Sequence, residues 1–250
     1  MKITLLLWII FFSLLGSVGS IFLAGIFLAI SEKKQKILIP YLISYATGTL
    51  ITSAFLGLIP HALKHTSEVI VLSSVLVGII LFFLLEKLLI WRHCHDPVCE
   101  VHSTSALMIL IGDAFHNITD GVVIAASFLT SFPIGITVAI SVIAHEIPQE
   151  VGDFGILLHS GYSKRKAILS NILSSLSTIP GAILAYYTLS NIQSIIPYTM
   201  AISAASFIYI ALADLTPELH RQAEIGLAIK EFVLMLAGAC TIYLTLQLHP

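Results

Sequence analysis

Five carboxylates stand in apolar sequence with no base to pair with. Asp113, Asp120, Glu146, Glu150 and Asp153 all fall between Arg92 and Lys164, an interval without Lys or Arg. The phrases that carry them, His116-Asn117-Ile118-Thr119-Asp120-Gly121 and His145-Glu146-Ile147-Pro148-Gln149-Glu150, interrupt runs otherwise apolar enough to lie in a bilayer. A carboxylate buried in hydrocarbon is costly unless it is protonated or matched by a cation. With two histidines alongside, a metal ion is the natural counter-charge.

The rest of the chain supplies the membrane. Its residues are 57% apolar and 10% charged, with mean hydropathy +0.99, where soluble domains carry roughly 25% charged residues. Reading apolar runs of about 20 residues as spans predicts an all-α polytopic membrane protein. Its eight helices lie near 5–29, 38–60, 69–91, 105–130, 134–159, 166–188, 197–219 and 226–248, in one transmembrane domain over 1–250. Lys2, the run Ile3 to Leu15 and the small residues Gly16 to Ser20 have the outline of a signal peptide. The apolar run resumes from Ile21 to Ile30, however, so one long span is expected. The net charge of −2 offers no argument for nucleic acid, and the lipid bilayer is the expected surrounding. Small-residue patches leave a homodimer open. Cys94, Cys99 and Cys240 make no disulfide framework.

Charge placement orients the spans. With both termini outside, Lys33, Lys34, Lys36, Lys87, Arg92, Lys164, Arg165, Lys166, Arg221 and Lys230 fall on the inner side, leaving only Lys2 and Lys64 outside. That asymmetry is what the positive-inside rule predicts. On this topology the loop HCHDPVCEVHS faces the cytoplasm, where His93, Cys94, His95, Cys99 and His102 are candidates for weak metal capture. Their spacing is not that of a closed zinc finger.

Helical periodicity then sorts the polar residues. Asp113, His116, Asn117 and Asp120 share one face of the fourth span; His145, Glu146, Gln149, Glu150 and Asp153 occupy one side of the fifth. If the stripes face each other, His116 and Asp120 meet His145 and Gln149, with Asn117 and Glu146 extending the cluster sideways. Imidazole and carboxylate suit zinc, iron and manganese, and the lack of thiolate argues against copper(I). Asn and Gln carbonyls bind zinc weakly, which suits an ion that must leave again. Pro148 should loosen its helix at Ala144, and Gly121 and Gly152 should permit close helix approach. The same groups could instead pair as interhelical glue or relay protons.

Two echoes point to internal symmetry. His-Asn-Ile-Thr-Asp-Gly and His-Glu-Ile-Pro-Gln-Glu share a frame, and Leu58-Ile59-Pro60-His61 resembles Leu215-Thr216-Pro217-Glu218. Inverted repeats around a midplane site are a common transporter plan.

Together these motifs resemble the ZIP (Zrt/Irt-like) family of divalent metal transporters, in the branch with HNxxDG on the fourth helix and HExPHE on the fifth. Ile111-Gly112-Asp113, Val151-Gly152-Asp153-Phe154 and the stretch from Phe207 to Glu218 match that branch too. The resemblance implies eight helices, with inverted three-helix units flanking a central pair, and metal uptake toward the cytoplasm. It also implies a main site at His116, Asp120, His145 and Gln149 and an adjoining one at Asn117 and Glu146. The chain departs from the pattern where Gln149 replaces the branch's usual His. Ser53 and Gly57 stand where relatives often carry Asp and His, and Ile179 stands where some carry a bridging Glu.

The expected function is transport of a divalent cation, zinc first, with iron, manganese and cadmium as further ions and no enzymatic activity. Asp113, Glu150, Asp153, His61, Asp214 and Glu218 are expected along the pathway. An intramembrane metalloprotease is the rival reading from another class, but His145-Glu146-Ile147-Pro148-Gln149 lacks the second His of HExxH. An exporter of another family is a further alternative. Compact loops point to a bacterial inner membrane.

Overall fold

The computed structural model describes residues 2–91, 101–220 and 225–247. The segment with His93, Cys94, His95 and Cys99 lies outside them, and of His102 only the helical backbone is described. Eight helices among the described residues are long and apolar enough to cross a membrane. They are α1 (Ile3–Ala29), α2 (Lys33–Leu63), α3 (Glu68–Trp91), α4 (Val101–Thr130), α5 (Phe132–His159), α6 (Lys164–Asn191), α7 (Gln193–Leu219) and α8 (Ile225–Gln247). The described residues contain no strand, so the fold is an all-α polytopic membrane protein.

Its organisation is a repeat with a constant shift of 157 residues, Glu68 against Ile225 at the starts of α3 and α8. The same shift carries the six-residue π-helical turn Ser53–Leu58 in α2 onto Ile210–Leu215 in α7. Each turn ends in a backbone bond closed one residue wider than in an α-helix, Ile59 N–H to Ala54 O and Thr216 N–H to Ala211 O. Pro60 and Pro217 follow directly. A proline has no N–H for the carbonyl four residues back and its ring collides with it, so the wider turn absorbs the mismatch. The shift extends to packing. A Cβ on Gly48 of α2 would strike the carbonyl of Met235 in α8; the corresponding contact in the other half is Gly78 of α3 against the Cβ of Ala205 in α7. Because matching helices are five spans apart, successive spans running back and forth make the two units inverted.

Four spans carry irregular turns that hydropathy does not reveal: α1 at Leu15–Gly19, α2 and α7 at the π turns above, and α6 at Leu176-Ser177. The small residues that resemble a cleavage region form the turn in α1, and a Cβ on Gly16 would sit 3.1 Å from Val142 of α5. By contrast α5 continues as α-helix through Pro148. Its end is set by Gly161, which has φ 85°. There Tyr162 N–H donates to Leu157 O and Gly161 N–H to Leu158 O, each at 3.0 Å, closing the last carbonyls before α6 begins.

The central pair α4 and α5 sits between these units. A Cβ on Gly121 of α4 would collide with the Thr178 carbonyl of α6, and one on Gly181 of α6 with the Ile118 carbonyl of α4. The expectation for Gly152 is corrected. A Cβ there would meet nothing within 4 Å, so Gly152 faces open space and makes no helix contact.

Candidate metal centre

His116 and Asp120 of α4 and His145 and Glu146 of α5 bring one ligand atom each to within 4.8 Å of one another. His116 Nε2 lies 3.1 Å from His145 Nε2, 3.7 Å from Asp120 Oδ2 and 3.5 Å from Glu146 Oε1. His145 Nε2 lies 3.2 Å from Asp120 Oδ2 and 3.9 Å from Glu146 Oε1. Zinc bound tetrahedrally at ~2.0–2.1 Å from nitrogen and oxygen holds its ligands ~3.3 Å apart. The five separations above bracket that value, and Asp120 and Glu146 stand within 4.8 Å of each other, so a contraction of the group would close a four-coordinate shell.

The donors are also prepared chemically. His145 Nδ1 is 2.9 Å from the Ser141 carbonyl. A carbonyl only accepts, so the ring proton sits on Nδ1 and Nε2 offers its lone pair to the group. All four carboxylate oxygens of Asp120 and Glu146 are buried, with no hydroxyl, amide or backbone donor to them among the described residues. Both side chains are fully buried. Two such carboxylates and two imidazoles, with no Lys or Arg between Arg92 and Lys164, leave a charge deficit that one divalent cation cancels. Phe207 of α7 packs edge-on against His145 at 6.0 Å between ring centres and covers that side. The His116 side chain keeps 19% of its surface, so the group is reached past that ring.

Asn117 and Gln149, the two amides expected as ligands, both bond to Asp113. Asn117 Nδ2 donates to Asp113 Oδ1 at 2.9 Å, while its own Oδ1 accepts from Thr178 Oγ1 at 2.8 Å. Gln149 Nε2 donates to Asp113 Oδ1 at 3.1 Å. Glu146 is thus the fourth His or acidic residue of the group, and the Gln149 amide nitrogen is held on Asp113. Glu150 is buried and accepts a short hydrogen bond from Ser175 Oγ. Asp153 is partly exposed beside it. His61 stands at the end of α2, its Nδ1 3.2 Å from the Gly57 carbonyl, and Asp214 and Glu218 are exposed at the end of α7. Ser141, Ser175 and Thr178 are site residues that sequence reading missed. The only trace of them was small polar side chains at helical spacing.

A family model described as the ZIP zinc transporter matches residues 91–246, more than half of the chain. The chain belongs to the ZIP zinc transporter family. Among curated relatives it is 36% identical over 148 residues to "Zinc transporter zipt-7.2" of Caenorhabditis elegans, covering 56% of this chain and 31% of that protein. It is 35% identical over 144 residues to "Zinc transporter foi" of Drosophila melanogaster, covering 58% and 20%. Against "Zinc transporter ZIP13" of Pongo abelii it is 30% identical over 213 residues, covering 79% and 63%. The chain therefore spans less than two-thirds of the length of each of these relatives. Both motif helices lie inside the segment matched by the ZIP model.

Proposed function

We propose that this ZIP chain carries divalent metal ions through the membrane, with zinc as the main cargo and uptake toward the side that bears the basic loops. The four-donor group of His116, Asp120, His145 and Glu146 carries the reading, with separations near those of a tetrahedral zinc shell. The names of the relatives support zinc; two imidazoles and two carboxylates would also accept iron, manganese or cadmium. In this reading the ion enters from the end of α2 near His61, passes the exposed edge of His116 and leaves past Asp153, Asp214 and Glu218. The rigid α4–α6 contact and the proline-bearing π turns of α2 and α7 frame that route.

A binuclear site is the finer part of the proposal. The second ion would sit beside Glu146, near Asn117 and Gln149. It would require Asn117 to release the Thr178 hydroxyl, since the amide oxygen is already occupied. The protease reading is weaker. Gln149 stands where the second histidine of HExxH would be, and it is turned toward Asp113.

Zinc uptake into proteoliposomes is the decisive measurement. His116→Ala, which removes the partly exposed donor, is expected to reduce flux to the background of empty vesicles while reconstituting normally. Unchanged flux in that variant would sink the assignment. Gln149→His tests the departure from the family pattern. An added imidazole beside the group is expected to tighten zinc binding by about tenfold, roughly 1.4 kcal/mol, and to slow turnover because the ion leaves less readily. Affinity measured with a competing chelator and flux at saturating zinc should therefore move in opposite directions.

A further inference from the structure

A second polar position lies apart from the four-donor group, between α1, α5 and α6. A cavity of about 210 Å³ lies there against Ile21, Ala24, Leu28 and Phe154, open toward the exposed residues Gly25, Ala29, Lys164 and Ile168. Glu150 and Asn171 also line it. Both are buried, at 1% and 2% exposure. Glu150 Oε1 takes the Ser175 hydroxyl, but Glu150 Oε2 and Asn171 Oδ1 have no hydrogen-bond partner among the described residues. Two buried acceptor oxygens, on helices joined by the Ser175–Glu150 hydrogen bond, thus have nothing to satisfy them among the described residues.

Charge sharpens the point. One divalent ion in the four-donor group cancels Asp120 and Glu146 and leaves Glu150 uncompensated. The charged groups that act on Glu150 are Glu146, Asp113 and Asp153, all acids. Lys164 lines the cavity, yet it forms no ion pair with Glu150 among the described residues and stands seven residues from Asn171 along α6. That is ~10 Å of helix. The apolar walls make an unmatched carboxylate more costly there than in water.

We infer that Glu150 and Asn171 form a second cation station, one turn of α5 inward from Glu146, for a hard, oxygen-preferring divalent ion of the Mn²⁺ or Mg²⁺ class. The donors are a carboxylate, an amide carbonyl and the Ser175 hydroxyl, with no imidazole or thiolate. Such a set selects for hard cations and against zinc, which the histidines above hold better. These ions keep several waters, and the cavity has room for them at ~30 Å³ each. The station uses none of the four donors of the zinc group, so it stands or falls independently of the transport reading.

Mn²⁺ itself is the probe, titrated by electron paramagnetic resonance into the purified full chain already saturated with Zn²⁺. One Mn²⁺ is expected to bind per chain, without releasing zinc and without nitrogen coupling from imidazole. Glu150→Gln and Asn171→Leu should each weaken it by about tenfold or more, with zinc affinity unchanged. His116→Ala should retain the Mn²⁺ signal while losing zinc affinity. The inference is overturned if the zinc-loaded wild type binds no Mn²⁺, if bound Mn²⁺ shows imidazole coupling, or if both cavity variants bind as the wild type does. The wild-type measurement decides even if a variant fails to fold.

Discussion

His145→Ala is expected to lower zinc affinity by about a hundredfold or more. Loss of an outer partner of a metal ligand costs roughly 10–100-fold, and this substitution removes the ligand itself. His145 Nε2 is the donor closest to both His116 Nε2, at 3.1 Å, and Asp120 Oδ2, at 3.2 Å. The remaining three donors would keep two carboxylates buried with a poorly held ion, and the space left by the ring would admit water beneath Phe207. Competition against a chromophoric zinc chelator on detergent-purified protein measures the effect. An affinity within threefold of wild type would mean that the ion binds elsewhere, whatever the flux assay shows.

Gly121→Ala is expected to destabilise the protein more than any other single-methyl addition near the site. The new Cβ would meet the Thr178 carbonyl and come within 2.7 Å of Ala182 N. Ordinary overpacking costs about 1–3 kcal/mol because side chains yield; here the obstacles are backbone atoms of α6, so the cost should lie at or above the top of that range. Moving α6 outward would also pull Thr178 from Asn117 Oδ1, now 2.8 Å away, and disturb the face that carries His116 and Asp120. Gly112→Ala and Gly152→Ala serve as controls, since neither Cβ would meet anything within 4 Å. Thermal unfolding in detergent should place Gly121→Ala well below both controls. Equal midpoints for Gly121→Ala and Gly152→Ala would contradict the packing described for α4 and α6.

The difference between those two glycines shows where sequence reading ends. Both stand beside polar motifs in apolar helices, and nothing in the spacing separates them. Only the placement of α6 against α4 makes one indispensable and leaves the other facing open space. Glu146 and Gln149 make the same point within the site. They are three residues apart on one helix side, and the faces alone could not say which joins His145. The rotation of α5 against α4 brings Glu146 Oε1 to 3.9 Å from His145 Nε2 and sets the Gln149 amide nitrogen on Asp113.

The sequence alone determined the class of the protein and the nature of its central problem. Hydropathy is local and additive along the chain, so eight spans were legible without packing. Helical periodicity put the polar residues of α4 and α5 on single faces, and the missing bases demanded a cation. The paired Leu-Ile-Pro and Leu-Thr-Pro phrases were legible as an echo. Only the tertiary structure showed that the echo is a 157-residue repeat of π turns and interhelical contacts, because those contacts join segments far apart in the chain. Tertiary structure likewise brought Glu146 to Asp120 and the two histidines, set Asn117 against Thr178, and put Glu150 and Asn171 on the wall of a cavity. Each outcome depends on the rotation and axial offset of one helix against another, which come from side chains and backbones meeting across the bundle.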